Sequence, residues 1–280
     1  MRTLLAATLA CMTLTLAAPV GAVERGYAPV NGLKLYYEIH GSPARDGVPL
    51  VLLHGGGSTI ETSFGKLFPL VSKARQVIAF EQQGHGHTAD VDRPFSFEQS
   101  AEDAVGLLRH LQVVKADFLG YSNGGHIALE IALRHPEVVR SLILQSVFIS
   151  RDGTDPRFWQ GFDHAKLDEM PLELRKAYLA TAPHPEQLPS FFAKSVQRMR
   201  EFKGWPPAQV QTIRVPTLLI LGDRDIVRVE HAVQMQHLLP DARLAVLPAT
   251  DHLAMTDRAA AVALMVDEFL LGGSDKPRTR

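Results

Sequence analysis

Apolar runs of strand length alternate along the chain with segments of helical period. Residues 33–39 alternate as a half-exposed strand, and later apolar runs predict buried strands at residues 49–53, 76–80, 115–119, 140–145, 215–221 and 243–247. Helices are predicted between them at residues 63–72, 96–111, 126–133, 229–238 and 257–270. Buried strands that alternate with helices are typical of a mainly parallel sheet covered on both faces. The pattern therefore predicts an α/β fold.

The alternation stops in the middle of the chain. The interrupting stretch is rich in proline and aromatic residues, and it is too long for an open loop inside a compact domain. Its best helical segments are residues 172–181 and 189–202. We therefore predict a core formed by residues 23–146 and 215–280, with a helical cap inserted at residues 147–214.

A serine between two glycines marks the junction of the strand at residues 115–119 and the helix at residues 126–133. The sequence there is Gly120-Tyr121-Ser122-Asn123-Gly124, a G-x-S-x-G pattern. A strand that turns directly into a helix strains its turn residue, and flanking glycines remove the Cβ atoms that would clash. The turn exposes the serine hydroxyl at a helix N-terminus, where backbone N–H groups favour negative charge. We predict that Ser122 is a nucleophile.

Other strand ends provide the groups that a serine nucleophile needs. The strand at residues 49–53 ends in His54-Gly55-Gly56-Gly57, a glycine-rich turn of the kind that supplies an oxyanion-hole N–H group. We predict that Gly56 and Asn123 are the oxyanion donors. Later strands end in aspartates and then in His252. The chain order Ser, Asp, His matches that of α/β-hydrolases and differs from the chymotrypsin and subtilisin orders.

In these motifs the chain resembles the α/β-hydrolase superfamily, specifically its capped esterase, lactonase and C–C hydrolase branch. The resemblance covers nearly all of the chain after the first two dozen residues. It includes residues 80–88, which are similar to the family's turn after the fourth strand. Glu81, Gln82 and Gln83 replace the acid and the basic or proline residue that are usual there. The resemblance implies an α/β-hydrolase fold with a helical cap and a hydrolase that needs no cofactor.

Two aspartates compete for the acid of the predicted triad. Asp223 and Asp225 both follow the strand at residues 215–221. In the family that the chain resembles, the triad acid lies three residues after the glycine that ends this strand, which indicates Asp225. Asp223 is then expected to form turn hydrogen bonds. Asp251 is disfavoured, because adjacent residues on a loop rarely point the same way and its neighbour is His252.

His252 is the predicted base, because a serine hydroxyl is a weak nucleophile until an imidazole takes its proton. It follows a strand end, where catalytic groups gather in parallel sheets. His85 and His87 form a His-x-His pair, but they lack the further ligands of a metal site, so no metal is predicted. His54 is expected to order the glycine-rich turn, and His126 is expected to be packed or capping.

Composition limits the partners and the location of the protein. A formal net charge of −1 argues against a nucleic-acid partner. Residues 1–22 combine Arg2, an apolar run and small residues, a pattern typical of a secretory signal peptide cleaved near Ala22. We therefore predict a secreted or periplasmic protein with no membrane span after cleavage. The only cysteine, Cys11, lies in this segment, so the mature protein would hold neither a disulfide nor a thiol nucleophile.

These features together predict a serine hydrolase that cleaves carboxylic esters through an acyl-enzyme on Ser122. The predicted partner is a small-molecule ester or a related acyl compound, and its pocket is expected to include Phe158, Trp159, Phe162 and Phe191. Within the same fold, the alternatives are a lactonase, a C–C bond hydrolase, an aminopeptidase and a perhydrolase. A ligand-binding receptor that keeps a slow, vestigial triad is the alternative of another class.

Overall fold

The structure is a computed structural model that describes residues 23–44 and 46–272. The predicted signal peptide, residues 1–22, lies outside the described residues. The strands are β1 (Glu24–Val30), β2 (Leu33–His40), β3 (Leu50–Leu53), β4 (Val77–Phe80), β5 (Ala116–Tyr121), β6 (Val139–Gln145), β7 (Thr217–Arg224) and β8 (Ala242–Asp251). The helices are α1 (Ile60–Phe64), α2 (Phe68–Val71), α3 (Phe97–His110), α4 (Asn123–Arg134), α5 (Pro156–Asp163), α6 (Leu172–Thr181), α7 (Leu188–Arg200), α8 (Pro207–Val210), α9 (Val229–Leu238) and α10 (Ala259–Gly272). In the part of the chain that the structure describes, no helix has both the length and the apolar character needed to cross a membrane.

The strands form a single eight-stranded sheet in the order β1-β2-β4-β3-β5-β6-β7-β8. β1 pairs antiparallel with β2, and β2 pairs antiparallel with β4. All of the other pairs are parallel. The carboxyl ends of β3, β5, β6, β7 and β8 therefore meet at one edge of the sheet. The predicted α/β architecture with a mainly parallel sheet is confirmed.

Both faces of the sheet are buried. Successive strand residues point to opposite faces, so Phe118 and Leu142 pack in one apolar cluster while Leu119 and Ile143 pack in another. The first cluster includes residues of α3, α4 and α9, and the second includes residues of α1 and α10. Burial on both sides explains why the central strands are continuous apolar runs.

The predicted helices at residues 172–181 and 229–238 coincide with α6 and α9. The single helix predicted at residues 63–72 is wrong, because two short helices, α1 and α2, occupy this region. Thr59 caps α1 by accepting a hydrogen bond from the backbone of Thr62. A continuous helix would be broken at Pro69, which has no N–H group for the carbonyl four residues earlier. β1 and α5 were not predicted.

The segment between β6 and β7 contains α5, α6, α7 and α8. Part of it forms a small apolar cluster of its own, in which Met170, Tyr178 and Phe191 pack with Phe95. Other side chains of the segment, including Trp159, join the main apolar cluster. The inserted helices are thus anchored directly on the sheet domain, above the carboxyl ends of the strands.

Candidate active site

Ser122 lies in the tight turn between β5 and α4, with φ of 54° and ψ of −119°. Few non-glycine residues adopt a positive φ, so this backbone is strained. A Cβ atom on Gly120 would lie 2.4 Å from the carbonyl oxygen of Gly124. A Cβ atom on Gly124 would lie 1.8 Å from the carbonyl oxygen of Leu53. The two glycines of the motif are therefore required for the strand, the turn and the helix to approach this closely.

A chain of hydrogen bonds joins Ser122, His252 and Asp225. The Nε2 atom of His252 lies 3.0 Å from Oγ of Ser122, and Nδ1 lies 2.8 Å from Oδ1 of Asp225. A carboxylate only accepts hydrogen bonds, so Nδ1 carries the proton and Nε2 faces the serine hydroxyl as an acceptor. Burial would raise the pKa of Asp225, but hydrogen bonds from His252 and Ser146 outweigh it and lower the pKa. The carboxylate therefore stays ionised beside the imidazole.

Ser146 holds the second oxygen of the Asp225 carboxylate. Its hydroxyl donates to Oδ2 at 2.5 Å, and the backbone N–H of Val227 donates to Oδ1 at 3.3 Å. Ser146 is fully buried and adopts a φ of 58°. Ser146 is not among the site residues that the sequence predicts. The available signal was its position directly after the strand predicted at residues 140–145, whose carboxyl end shares an edge with that of β7.

The other two aspartates of this region accept hydrogen bonds from the backbone of nearby loops. Oδ1 of Asp223 accepts a hydrogen bond from the backbone of Thr250 at 3.1 Å, which agrees with its expected role in a turn. Oδ1 of Asp251 accepts a hydrogen bond from the backbone of Ala254 at 2.8 Å. Of the three carboxylates, that of Asp225 is the one that the imidazole of His252 contacts.

The predicted oxyanion residues, Gly56 and Asn123, lie next to each other beside Ser122. A Cβ atom on Gly56 would lie 2.3 Å from Nδ2 of Asn123. Asn123 is the first residue of α4, and the first N–H groups of a helix have no acceptor inside the helix. Both residues line the same cavity as Ser122 and His252. The structure thus brings both predicted donor residues to the cavity that Ser122 lines.

His54 braces the glycine-rich loop, which we define as residues 54–57. Its Nδ1–H group donates to the carbonyl of Gly55 at 2.8 Å, and Nε2 accepts from the backbone N–H of Gln82 at 3.0 Å. Burial lowers the pKa of His54 to about 4, so the ring stays neutral. A neutral ring has one donor and one acceptor nitrogen, and both are used here. This geometry agrees with the expectation that His54 orders the loop.

His85 supports the same loop from the other side. Its Nδ1–H group donates to the carbonyl of Gln83 at 2.9 Å, and Nε2 accepts from the N–H of Gly57 at 3.3 Å. Burial holds the pKa of His85 well below its ordinary value. His87 instead pairs with Glu81 through Nδ1 at 2.8 Å. Among the described residues, no three His, Cys, Asp or Glu side chains are grouped so as to hold a metal ion.

Tyr121 connects the turn that carries Ser122 to the loop that carries His252. Its hydroxyl donates to the backbone carbonyl of His252 at 2.7 Å. The two rings stack with their centroids 5.4 Å apart. Burial raises the pKa of Tyr121, which keeps the phenol protonated and able to donate. His126, by contrast, is packed among aromatic rings in the core, where Nε2 bonds the carbonyl of Phe148 at 2.9 Å.

A cavity of about 440 Å³ opens beside Ser122 and His252. Its walls are mostly apolar and come from the inserted helices. They include Phe158, Phe162, Met170, Leu174, Phe191 and Phe192. Three of the four predicted pocket residues therefore line it.

Trp159 differs from the prediction, because it does not line this cavity. Its ring stacks on Phe202 at a centroid distance of 5.7 Å, and its Nε1–H donates to the carbonyl of Arg151 at 2.9 Å. The physical reason is helical geometry. Phe158 and Phe162 are four residues apart on one face of α5, whereas Trp159 is rotated by about 100° and faces the core.

Residues 50–264 match the model of the alpha/beta hydrolase family. The chain is 29% identical over 254 residues to 2-hydroxymuconate semialdehyde hydrolase of Pseudomonas sp. strain CF600, in an alignment that covers 83% of this chain and 89% of that protein. It is 28% identical over 267 residues to the serine hydrolase BPHL of Homo sapiens, with 89% of this chain and 87% of that protein covered.

Solved structures show the same fold. A meta-cleavage product hydrolase from Pseudomonas fluorescens IP01 superposes with a TM-score of 0.75 at 22% identity, covering 91% of this chain and 99% of that one. The enol-lactonase from Burkholderia xenovorans LB400 superposes with a TM-score of 0.70 at 23% identity, covering 88% and 99%. The family match covers most of the chain, and it agrees with the sheet order and the serine turn described above. The chain therefore belongs to the α/β-hydrolase family.

Proposed function

We propose that this protein is a serine hydrolase that cleaves carboxylic esters, with Ser122 as nucleophile, His252 as base and Asp225 as the acid that orients the base. One observation carries the proposal. Hydrogen bonds of 2.8 Å and 3.0 Å join Asp225 to His252 and His252 to Ser122, and the serine faces an apolar cavity. The order and geometry are those that a triad requires.

The first half of the proposed reaction forms an acyl-enzyme. Oγ of Ser122 attacks the ester carbonyl carbon while its proton passes to Nε2 of His252, and the carbonyl oxygen becomes an oxyanion. The backbone N–H groups of Gly56 and Asn123 hold this oxygen. The C–O bond to the alcohol then breaks, and the leaving oxygen takes the proton from Nε2. Asp225 stabilises the imidazolium that exists between these two transfers.

The second half releases the acid. Water attacks the acyl carbon and gives a proton to Nε2 of His252, so a second tetrahedral oxyanion forms at the same N–H groups. The bond between the acyl carbon and Oγ of Ser122 then breaks, and Oγ recovers its proton from Nε2. One ester and one water become one carboxylic acid and one alcohol, and no cofactor takes part.

The cavity supports an apolar acyl or alcohol group as the recognised part of the substrate. Its volume of about 440 Å³ lies in the usual range of small-molecule pockets. Lys166 and Glu169 also line it, but both are exposed to solvent. The buried part of the wall offers mainly aromatic and aliphatic carbon to a ligand. Medium-sized hydrophobic esters therefore fit this site better than charged ones.

Activity-based labelling tests the nucleophile. An alkyl fluorophosphonate should modify Ser122, and Ser122→Ala should abolish both labelling and p-nitrophenyl ester turnover. His252→Ala should lower kcat by several orders of magnitude, and the double variant should lose little more, because triad members act as a unit. Labelling at another residue, or near-normal turnover of Ser122→Ala, would overturn the proposal. A receptor with a vestigial triad is recognised by a single turnover followed by lasting occupancy.

A substrate panel separates ester cleavage from the other reactions of the family. The sequence relatives include 2-hydroxymuconate semialdehyde hydrolase and a proline iminopeptidase of Clostridioides difficile. The panel should therefore contain p-nitrophenyl esters, lactones, 2-hydroxymuconate semialdehyde and aminoacyl anilides. We expect the highest kcat/KM for an ester. If kcat/KM were at least tenfold higher for another class of compound, the serine mechanism would stand and the proposed substrate class would be wrong.

We also propose that the protein is exported and that residues 1–22 are removed. The proposal rests on the basic, apolar and small-residue order of this segment. N-terminal sequencing of protein recovered from the periplasm or medium of its native host should begin at or near Val23. Folded protein that retains Met1 and stays in the cytoplasm would contradict export.

A further inference from the structure

Arg198, on α7, is a buried cation that forms no ion pair with any residue that the structure describes. The side chain is 4% exposed, and its Nε and Nη2 atoms have no hydrogen-bond partner among the described residues. Its one hydrogen bond in that part of the chain runs from Nη1 to Oε1 of Gln82 at 3.3 Å. Burying a charge without a paired acid is costly. The position of Arg198 therefore calls for a compensating role.

The guanidinium of Arg198 lies directly behind the glycine-rich loop. Nη2 is 3.7 Å from the place that a Cβ atom would take on Gly56. The carbon of the guanidinium lies 5.1 Å from the centre of the Phe97 ring and 5.7 Å from that of Phe95, and these aromatic faces replace part of the lost hydration. Gln82, which accepts the hydrogen bond, donates in turn to the carbonyl of His54 at 2.8 Å. The cation is thus linked to the first residue of the loop.

Arg198 remains charged at neutral pH, although burial lowers its pKa to about 10. No acidic group contributes to that pKa. Burial first, and the charge of Arg198 in addition, lower the pKa values of His54, His85 and His126. Its positive field therefore reaches both histidines that brace the loop.

The second large cavity offers Arg198 no anionic ligand. This cavity of about 440 Å³ is lined by Arg198 itself and by the charged residues Glu98, Glu130, Glu201 and Lys203. The carboxylate of Glu130 is occupied by Arg134 at 2.6 Å and by the indole of Trp205 at 2.7 Å. Among the described residues, none of the three carboxylates forms an ion pair with Arg198, whose only hydrogen bond there is to Gln82.

We propose that Arg198 is a positioning residue of the oxyanion hole: its unpaired charge, held behind Gly56, favours the negative charge that develops on the substrate oxygen. This inference rests on the proposed serine mechanism. Fixed charges in a water-excluded site stabilise a developing oxyanion without reorganisation during the reaction. One helix, α7, thus contributes to both substrate binding and oxyanion stabilisation. It carries Arg198 near the loop, and its Phe191 and Met199 line the cavity.

Three variants separate charge from packing. Arg198→Met removes the charge and keeps most of the volume, whereas Arg198→Lys keeps the charge. The matched control is Arg151→Met, at an exposed arginine of the same segment whose guanidinium lies 4.5 Å from the centre of the Trp159 ring. We expect Arg198→Met to lower kcat about tenfold or more with little change in KM, because the lost interaction is specific to the transition state. Arg198→Lys should recover much of this loss, and Arg151→Met should keep wild-type kinetics.

The decisive measurement is the ionisation of a tetrahedral adduct. An alkyl trifluoromethyl ketone adds to Ser122 and leaves its former carbonyl oxygen in the oxyanion hole. NMR titration of the ¹³C-labelled ketone carbon should show a higher adduct pKa in Arg198→Met than in wild type, and an intermediate or normal one in Arg198→Lys. Thermal unfolding shows whether each variant is folded. A purely structural role lowers the melting temperature and leaves the adduct pKa unchanged, and that result would overturn the proposal.

Failure of this inference is distinguishable from failure of the proposed function. Fluorophosphonate labelling of Ser122 in the wild type and in Arg198→Met reports the nucleophile independently. Labelling of both proteins with equal adduct pKa values rejects the role of Arg198 and keeps the serine mechanism. No adduct at Ser122 in the wild type rejects both. If Arg198→Met does not fold, Arg198→Lys and Arg198→Gln provide the same comparison at higher polarity.

Discussion

Asp223, Asp225 and Asp251 lie close together in the chain or in space, yet their carboxylates have different surroundings. The carboxylate of Asp225 is buried and bonds an imidazole, a hydroxyl and a backbone N–H. Asp223 and Asp251 are exposed and bond the backbone of nearby loops. A buried carboxylate with these partners can stabilise a protonated imidazole. The carboxylates of Asp223 and Asp251 bond loop backbone instead and do not contact His252.

Asparagine substitutions test this distinction. Asp225→Asn should lower kcat by about 10³- to 10⁴-fold, because an amide no longer stabilises the imidazolium or selects the tautomer with the proton on Nδ1. Asp223→Asn and Asp251→Asn are the matched controls and should stay within about threefold of wild type, with small changes in melting temperature. Kinetics at equal folded fraction decide the matter. A larger loss for Asp223→Asn than for Asp225→Asn would show that the acid is misassigned.

Ser146 allows the hydrogen bond to the acid to be separated from backbone strain. Ser146→Ala leaves Oδ2 of Asp225 without its hydroxyl partner, and Ser146→Gly does the same but relieves the cost of the positive φ. Both variants should lose about tenfold in kcat/KM, and the glycine variant should melt at the higher temperature. Steady-state kinetics and thermal unfolding measure the two effects. Full activity in both variants would show that the hydroxyl is dispensable.

At this scale, the sequence predicts a residue when its role is encoded locally. Ser122 is recognisable because the strained turn requires neighbouring glycines, which are visible in five consecutive letters. Ser146 and Arg198 act through partners 79 and 116 positions away, Asp225 and Gln82 respectively. No local sequence pattern predicts contacts between residues so far apart in the chain. They are found only in the folded structure.

Elements were predictable where burial on the sheet imposes a period. The central strands and α3 follow their apolar patterns closely, and Ser96 caps α3 by accepting from the backbone of Gln99. Between β6 and β7 the apolar period is weaker, because the short helices there are partly exposed and carry aromatic residues on several faces. α5 was not predicted, so the direction of its aromatic side chains could not be deduced. The sequence therefore predicts Trp159 in the pocket together with Phe158 and Phe162, whereas the structure packs it on Phe202.

Neighbouring aromatic residues on α5 provide a matched pair for testing the role of the insertion. Phe158 lines the cavity, whereas Trp159 packs on Phe202 in the core. Each methylene that fits the cavity contributes up to ~0.8 kcal/mol, so kcat/KM should rise up to about fourfold per carbon until the cavity is full. Phe158→Ala enlarges the cavity and should move the optimum to longer acyl chains. Trp159→Ala should lower the melting temperature and leave the optimum unchanged.

The chain-length profile of p-nitrophenyl esters, measured with melting temperatures alongside, checks this expectation. Flat profiles in wild type and both variants would contradict a hydrophobic pocket. Equal shifts of the optimum in Phe158→Ala and Trp159→Ala would mean that the whole helix moves and that the two side chains do not have separate roles.

At the scale of the whole molecule, four histidines of the described residues are buried and have a lowered pKa, and His54, His85 and His126 are the three that lie deepest; His231 is the fourth. Burial lowers the pKa of His54 to about 4 and that of His126 to about 3, and it holds the pKa of His85 well below its ordinary value. His126 bonds the carbonyl of Phe148 through Nε2, while Nδ1 has no partner among the described residues. The folded protein keeps these rings neutral. This lowers the free energy of unfolding when the pH falls, because the unfolded chain can protonate them.

The fold should therefore lose stability on acidification before its carboxylates titrate. In the unfolded chain each histidine takes up a proton below its ordinary pKa of 6.5, whereas the folded protein resists protonation down to about 4 for His54 and about 3 for His126. The unfolded state then binds more protons, so the free energy of unfolding falls as the pH falls. The free energy of unfolding has its full value, as far as these histidines are concerned, above pH 6.5. Each ring removes about 1 kcal/mol per pH unit once the pH is well below that value.

Urea unfolding between pH 7.5 and 4.5 measures this slope. We expect a decline equivalent to at least three protons per molecule near pH 5, from His54, His85 and His126 with a further contribution from His231, in a range in which most carboxylates are still ionised. His126→Gln keeps a donor for the carbonyl of Phe148 and removes one titrating ring, so its slope should be smaller by about one proton. An identical slope in the variant would show that His126 is not a source of the acid sensitivity. A wild-type slope near zero would mean that the buried rings are protonated in the folded state, and the neutral-ring hydrogen bonds assigned to His54 and His85 would then be wrong.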